Sequence, residues 1–487
     1  MSDQDMESDP ARQALTTPLE DSRGEQASSF PTIKIQEKIA YAFGDIGSNL
    51  VYAPATSFVL FYLTNVAGIG AAIAGTILLI GQLLNGFTDV TIGVLIDRTS
   101  TRWGKARPWV LWTAVPLTVS FVLLFSVPAG FGETGKIVWV LIMYTLVMAV
   151  FFTASNVAYS AMLSVMTPSP KTRVTLTTFR FFSALLTTLI VNSITLPVVG
   201  ALGNDQFAWT STTVIYGVIA TFTLIVVFAG TKERVTPAKD VGNSAKQPLR
   251  FLLRTLTRNH YFFLAAALFT AFNLMSGLSS ASGVYYVANV LGDVSLFGIV
   301  SIAGILPALI GMPFMPALMG RHGKRAMFLV GIGVMLIGSV IPLFTPENFV
   351  VVLAGLVLRG FGMVPLTAGL LAIVADVVDY GEWRNGIRTD GLIYSSVVLG
   401  QKIGSGFGTA IVGWVLAFGG YSATAAHQSD GAIRAILASF LYLPLLMIVI
   451  TGVIVYFFKI ERHAPEIQRF LRHHVELPPG DPTTNQG

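Results

Sequence analysis

Long apolar segments separated by short polar connections dominate the chain between residues 38 and 458. A helix of about 20 mostly apolar residues is long enough to cross a membrane. The pattern predicts twelve such spans, at 38–66, 71–97, 108–130, 136–166, 171–200, 210–230, 260–290, 293–319, 326–345, 348–377, 388–418 and 431–458. We therefore predict an all-α membrane protein with twelve transmembrane helices.

Basic residues lie in alternate connections between these spans. The connections after spans 2, 4, 6, 8 and 10 contain lysines and arginines, whereas the others contain almost none, with Lys136 as the exception. Cytoplasmic loops of membrane proteins are enriched in Lys and Arg. We therefore expect both termini to lie in the cytoplasm.

The chain divides into two similar halves. A dense basic connection from Arg98 to Arg107 has a shorter echo at Gly320 to Arg325, 219 positions later when Lys105 is compared with Lys324. A longer basic connection separates spans 6 and 7. The predicted organisation is a disordered acidic N-terminal tail at 1–35, six-helix bundles at 36–230 and 259–458, a cytoplasmic linker at 231–258 and a cytoplasmic C-terminal tail at 459–487.

Composition argues against several functional classes. Of 487 residues, 53% are hydrophobic and 12% charged, whereas soluble domains average about 25% charged residues. The chain has no cysteine, and the spans contain neither a metal-ligand cluster nor a nucleophile–base pair. We expect no enzyme activity, catalytic residue, metal site, resident cofactor or nucleic-acid partner. We expect a protein that works in the lipid bilayer as a monomer.

Five polar residues on five spans reach a similar depth, about 14–20 Å from the predicted cytoplasmic ends at 1.5 Å per residue. Ionisable residues inside a span usually face a cavity or a partner. The five are Asn49, Asn85, Asn156, Arg180 and Lys402. They favour a substrate site near the bilayer midplane, with Asn85 assigned to a cation site, and Tyr159 is added as a residue that could stack on a ligand ring. The alternative is structural: the amides bond helices together, and the two bases neutralise buried acids.

Gln82, Asn85 and Asp89 share one face of span 2 because they are spaced i, i+3 and i+7. A desolvated carboxyl has a raised affinity for a proton, and carboxylate and amide oxygens also bind small cations. We predict that these three residues form the cation-coupling site. The alternative is that Asp89 is a structural ion-pair partner of Arg180 or Lys402.

Other charged residues are interpreted as a cytoplasmic gate. They occupy the connection after span 2 or, in our prediction, lie nearer the cytoplasmic ends of their spans. Ion pairs between helices there would hold the gate closed. The predicted gate residues are Asp45, Asp97, Arg102, Lys105, Arg107, Arg359, Asp376 and Asp379.

Several motifs resemble the glycoside–pentoside–hexuronide:cation symporters, relatives of melibiose permease. They are Tyr41 to Asn49, Asp97 to Trp109, Ala375 to Trp383, Gly391 to Ser395 and Gln401 to Gly404. The resemblance covers roughly residues 35–460. It implies the major facilitator fold, a bacterial inner membrane, and import of a sugar, glycoside or hexuronide by symport with H⁺ or Na⁺ through alternating access.

The resemblance also carries site residues, with three departures. Asp89 matches the second member of the acidic cation pair of melibiose permease, but Asn85 replaces the first. Asn49 and Asn156 replace two sugar-binding acids, whereas Arg180 and Lys402 match bases of that family. The cation site has one carboxylate fewer, which favours a proton on Asp89 over sodium. The surplus of Arg180 and Lys402 over acids suits a substrate with a carboxylate. Sodium ligated by asparagine and a neutral sugar bound by amides remain the alternatives.

Two other functions compete with sugar symport. The first is a carrier of lysolipid or another amphiphile with the same fold, which would have a wide apolar cavity. The second is a membrane sensor that keeps the fold without transport. Retention of Asp89 together with the gate charges favours a working carrier.

Overall fold

The computed structural model describes residues 33–167, 169–234, 259–385, 390–425, 427–467 and 469–470. Most of the predicted N-terminal tail, the linker from 235 onward and the C-terminal tail from 471 lie outside these ranges. Within the described residues the fold is entirely helical, with one isolated β-bridge between Thr101 and Gly104.

The described helices form two halves. The first half contains α1 to α8: Ile35–Ser57, Val59–Asn65, Ala71–Arg98, Arg107–Leu124, Glu133–Thr145, Thr153–Met166, Pro170–Ala201 and Gln206–Gly230. The second half contains α9 to α16: His260–Asn289, Phe297–Gly311, Met315–His322, Lys324–Phe344, Phe349–Asn385, Asp390–Phe418, Asp430–Leu437 and Leu443–Phe457. Short π segments at Leu146–Phe152 and Ala438–Tyr442 join α5 to α6 and α15 to α16.

Each half provides six spans, which confirms the predicted fold. Eleven of them are long and apolar enough to cross a membrane, if α1 and α2 are taken as one bent span. The other is α14, which is 29 residues long but carries Gln401, Lys402 and Ser405. These polar residues lower its mean hydropathy, but its length and its place between α13 and α15 are those of a span.

The first span is bent by 48° between α1 and α2. Pro54 lies in the last turn of α1; it lacks a backbone N–H and its ring crowds the preceding turn, which weakens helical continuity there. The chain resumes as α2 at Val59.

One side of the molecule, here called the basic face, carries the connections at 99–106 and 231–234. Glu233 holds the first connection by accepting hydrogen bonds from the backbone N–H groups of residues 105–107, at 2.9–3.0 Å. Glu461 does the same in the second half for residues 324 and 325, at 2.6 and 3.1 Å. The similarity between the basic connections of the two halves therefore includes the glutamate whose carboxylate binds each of them.

The two halves meet tightly on the side away from the basic face, here called the opposite face. The Thr64 hydroxyl lies 2.6 Å from the Tyr285 hydroxyl, and the Tyr421 hydroxyl donates to Asn65 at 2.7 Å. Gly75 packs directly against the α14 backbone at Ala410. A side chain at Gly75 would separate α3 from α14, so these contacts close the opposite face.

Candidate functional site

A cavity of about 370 Å³ lies between the two halves, within the range of about 300–1,000 Å³ typical of small-molecule sites. The first half contributes Asn49, Gln82, Thr188 and Asn192 to its polar wall. The second half contributes Asn273, Ser276, Ser279, Ser280, Arg359 and Thr409. Amides and hydroxyls of both halves therefore face the same space.

Helical periodicity explains how the polar wall forms. On α9, Asn273, Ser276 and Ser280 follow one another at i, i+3 and i+7, which places them on one face. On α7, Thr188 and Asn192 are four residues apart. Sequence analysis missed these residues because it weighted charges and motif matches; the uncharged polar stripe in an otherwise apolar span was the signal that could have found them.

Two predicted site residues, Asn49 and Gln82, line this cavity. The Asn49 amide donates to the carbonyl of Asp45 at 2.8 Å, and Thr188 donates to Asn49 Oδ1 at 3.3 Å. Asn156 is half-buried on α6 and is not among the described residues that line the cavity. The predicted single layer of polar residues is therefore divided between the cavity and its surroundings.

Arg180 and Tyr159, both predicted to bind substrate, instead lie with the predicted gate residue Asp45. Arg180 Nε is 2.9 Å from Asp45 Oδ2, and the Tyr159 hydroxyl donates to the same oxygen at 2.9 Å. The guanidinium carbon lies 4.2 Å from the centre of the Tyr159 ring. The Asp45 side chain is only 10% exposed. This cluster belongs wholly to the first half and satisfies the charge of Arg180 there.

Asp89, Asn85 and Lys402 come together across the interface between the halves. Lys402 Nζ lies 2.5 Å from Asp89 Oδ2, 2.6 Å from Asn85 Oδ1 and 3.1 Å from the Asn85 carbonyl oxygen. Thr153 donates to Asn85 Oδ1 at 2.6 Å, and Asn85 donates to Gln82 at 3.3 Å. The ammonium group therefore binds the oxygen atoms that were predicted to bind a cation.

The predicted gate residues of the basic connection pair within the first half. Lys105 Nζ lies 2.9 Å from Asp97 Oδ1, although the Asp97 side chain is 73% exposed. Arg107 donates to the Phe228 carbonyl at 2.5 Å, and Arg102 lies 4.5 Å from the centre of the Trp103 ring.

In the second half, Lys324 pairs with Asp376 at 2.6 Å. Asp379 follows one turn later on α13 and is half-buried. The described ion pairs of the predicted gate residues thus join parts of the same half.

The predicted position of Arg359 near the cytoplasmic end of its span is wrong. Arg359 follows the start of α13 at Phe349 by ten residues, and the helix continues to Asn385 on the basic side. The side chain is 7% exposed and lines the central cavity, where Nη2 donates to Ser279 Oγ at 2.5 Å. Because α13 is 37 residues long, most of it separates Arg359 from the basic face.

Comparison with known protein families identifies the family of this chain. A family model described as "MFS/sugar transport protein" matches residues 40–462. The chain belongs to the MFS sugar transport family. Within the described part of this family member, no three His, Cys, Asp or Glu side chains come together as metal ligands.

Curated relatives of the chain are bacterial transporters. The chain is 33% identical over 445 residues to a protein named isoprimeverose transporter of Lactiplantibacillus pentosus, covering 88% of this chain and 90% of the relative. It is 31% identical to a putative glycoside/cation symporter of Escherichia coli, with 85% and 90% covered. These matches confirm the resemblance to the glycoside–pentoside–hexuronide:cation symporters.

A solved structure shares the fold. The crystal structure of a D-xylose-proton symporter superposes with a TM-score of 0.66 at 13% identity, covering 87% of this chain and 97% of that chain. At this level of identity the comparison establishes the major facilitator fold alone. The chain is therefore a multi-pass membrane protein with two six-helix bundles.

Proposed function

We propose that this family member is a secondary active transporter that imports a sugar or glycoside by symport with a cation. The observation that carries the proposal is the Asp89–Lys402 ion pair, which joins α3 of one half to α14 of the other beside a polar cavity. Asp89 follows Gln82 of the cavity wall by seven residues, or about 10 Å along the helix. Cation binding at Asp89 and substrate binding in the cavity would act on the same interface.

Coupling would follow from competition at Asp89. A proton on Asp89 removes the negative charge that binds Lys402, and a sodium ion would need the same carboxylate and Asn85 oxygens as the ammonium group. Cation binding therefore weakens a contact between the halves. One carboxylate accepts one proton, so H⁺ is the coupling ion we favour, with Na⁺ as the alternative. No resident cofactor is needed.

A hydroxyl-rich ligand suits the cavity wall. Asn49, Asn192 and Asn273 can each donate to and accept from sugar hydroxyls. Tyr52 also lines the cavity, and its ring stacks on Phe152 with centroids 5.2 Å apart. A flat aromatic wall beside polar groups would fit one face of a sugar ring. The relatives named as isoprimeverose and glycoside carriers support this substrate class.

Arg180 and Tyr159 have a structural role in this proposal. Their contacts with Asp45 lie within one half, so this cluster can keep its geometry while the halves rock. The Asn49 amide donates to the Asp45 carbonyl, so the position of Asp45 helps to fix the position of Asn49 in the cavity wall. Substrate contact is thus assigned to Asn49 and its neighbours on the cavity wall.

We place the basic face and both termini in the cytoplasm of a bacterial inner-membrane protein. The positive-inside rule supports this orientation, because basic connections alternate along the chain with connections that contain almost no Lys or Arg. The contacts between Thr64 and Tyr285 and between Asn65 and Tyr421 then seal the outside. We expect the carrier to act as a monomer without enzyme activity.

Uptake into proteoliposomes tests the proposal. Purified protein would be given radiolabelled xylosides, glucosides and glucuronides under an imposed proton or sodium gradient. Asp89→Asn should lose gradient-driven accumulation but keep downhill exchange, because the carrier can still reorient without binding the cation. Asp430→Asn changes an exposed carboxylate at the start of α15 and serves as the matched control.

Other outcomes of this experiment would contradict parts of the proposed function. Unchanged accumulation by Asp89→Asn would move the coupling site elsewhere. Absence of sugar transport under both gradients would contradict the proposed function and favour an amphiphile carrier or a sensor. The polar lining at Asn49, Asn192 and Asn273 makes a lipid substrate the weaker alternative.

A further inference from the structure

Among the residues that the structure describes, Arg359 is the only charged one that lines the cavity. Its side chain is almost fully buried, at 7% exposure. Ionisable residues inside membrane spans are costly and usually mark a substrate or ion pathway. The coupling pair and the Asp45 cluster do not use this residue, so its charge needs another explanation.

The protein contacts of Arg359 leave its charge uncompensated. Nη2 donates to the neutral hydroxyl of Ser279 at 2.5 Å. In the described ranges, no carboxylate oxygen lies within 4.0 Å of its guanidinium nitrogens, whereas Arg180 has Asp45 at 2.9 Å. A buried charge without a partner is strongly destabilising. An anionic group on a ligand would supply the missing partner.

A second unsatisfied group faces the same space. Asn192 lines the cavity, is 7% exposed and has an Oδ1 atom that is buried without a hydrogen-bond partner. Buried polar atoms in folded proteins are nearly always hydrogen-bonded. The cavity therefore offers an acceptor for a ligand hydroxyl as well as a cation for an acid group.

The position of Arg359 indicates where the acid group would bind. Its partner Ser279 precedes Ser280, whose hydroxyl lies 3.0 Å from that of Ser57 in the other half. This contact is part of the interface between the two halves. An anion held by Arg359 would thus lie beside the joint that must open during transport.

We propose that Arg359 is a specificity-determining residue that binds an acid group of the substrate, so that the carrier prefers a sugar acid to the matching neutral sugar. The proposal rests on the proposed function and refines its substrate class. A guanidinium group binds a carboxylate through two parallel N–H···O bonds. Arg180 and Lys402 are less suited to this role because Asp45 and Asp89 already bind their charges.

Paired ligands that differ at one position test the proposal. The dissociation constants of methyl β-glucoside and methyl β-glucuronide, and of the corresponding galactosides, would be measured by calorimetry on purified protein. The wild type should bind at least one uronate about 10-fold or more tightly than its neutral partner, since a hydrogen bond to a charged group is stronger than one between neutral groups.

Variants then assign the preference to the residue. Arg359→Gln should abolish the uronate preference and leave the neutral glycoside within about 3-fold of wild type, because only the acid group loses its partner. Arg359→Lys should retain part of the preference, since it keeps the charge but not the planar fork. Arg434→Gln, on an exposed position of α15, is the matched control and should behave as wild type.

The outcomes separate this proposal from the proposed function. A wild type that binds neutral glycosides more tightly, or an Arg359→Gln variant that weakens both members of a pair equally, overturns the role of Arg359 and leaves sugar transport intact. Absence of binding to every glycoside and uronate overturns both. If Arg359→Gln fails to fold, the comparison between wild type and Arg359→Lys decides, and an unchanged uronate preference overturns the proposal.

Discussion

Two ion pairs of similar chemistry occupy the middle of this protein, and they differ in what they join. Asp45 and Arg180 both belong to the first half, at 2.9 Å. Asp89 and Lys402 belong to different halves, at 2.5 Å. In the proposed mechanism, rocking of the halves would leave the first distance unchanged and would alter the second. Position relative to the interface between the halves, more than chemistry, then separates a structural pair from the proposed coupling pair.

The surroundings of the two pairs fit this difference. Asp45 also accepts from Tyr159, whose ring lies under the Arg180 guanidinium, so the pair is held from several directions. Lys402 binds Asp89 and the neutral Asn85. The two basic side chains are equally exposed, at 18%, but Asp89 is 23% exposed against 10% for Asp45. A pair that water can reach is easier to separate during each transport cycle.

The largest effect should come from fixing the halves together. Ser57 and Ser280 face each other across the interface with their hydroxyl oxygens 3.0 Å apart. Because the chain has no native cysteine, Ser57→Cys combined with Ser280→Cys can form a single defined disulfide. Oxidation should abolish accumulation, reduction should restore it, and mass spectrometry would quantify the bond.

A matched cross-link lies within one half. Thr118 and Thr221, on α4 and α8, have their hydroxyl oxygens 2.6 Å apart. The double variant Thr118→Cys with Thr221→Cys should transport equally well when oxidised. Loss of transport in this control, or full activity of the oxidised Ser57–Ser280 variant, would contradict movement of rigid halves.

The next effect concerns stability. Asp45→Asn leaves Arg180 without its carboxylate and should lower the free energy of unfolding by about 3–5 kcal/mol, as expected when one partner of a buried pair is removed. Thermal unfolding of detergent-purified protein measures the loss. Adding Arg180→Gln should recover part of it, because the orphaned charge disappears; no recovery would argue against a structural pair.

Neutralising the other pair should affect coupling more than stability. The double variant Asp89→Asn with Lys402→Gln removes both charges together, so we expect a change in unfolding free energy of about 1 kcal/mol. Gradient-driven accumulation should disappear while downhill exchange continues. A large loss of stability in this variant would make the Asp89–Lys402 pair structural, in contrast to the proposed role.

The smallest effect is expected at the exposed pair on the basic face. Asp97 is 73% exposed and contacts Lys105 at 2.9 Å. Asp97→Asn should change the unfolding free energy by about 0–1 kcal/mol, because water screens such pairs. Transport would be measured on the same preparation. A strong transport defect with unchanged stability would support the predicted gate role of Asp97 in another conformation.

Sequence alone determined the architecture. Each span is recognisable from its own apolar residues, and the basic connections and family motifs are local features, so twelve spans and the family followed without a structure. Asp89 was predicted to bind a cation or to pair with Arg180 or Lys402, and Lys402 is its partner. α14 was predicted as the apolar segment 388–418 in spite of its polar residues.

Tertiary structure decided which residues meet. Arg180 and Asp45 are 135 positions apart, and Lys402 and Asn85 are 317 apart, so their contacts depend on how each helix is rotated and how deeply it sits against its neighbours. Depth counted along single helices placed Arg180 in the substrate site and Arg359 in the gate. Packing placed Arg180 beside Asp45 and Arg359 in the cavity. Hydropathy determines whether a segment crosses the membrane. The rotation of the helix about its own axis is set by the neighbours against which it packs.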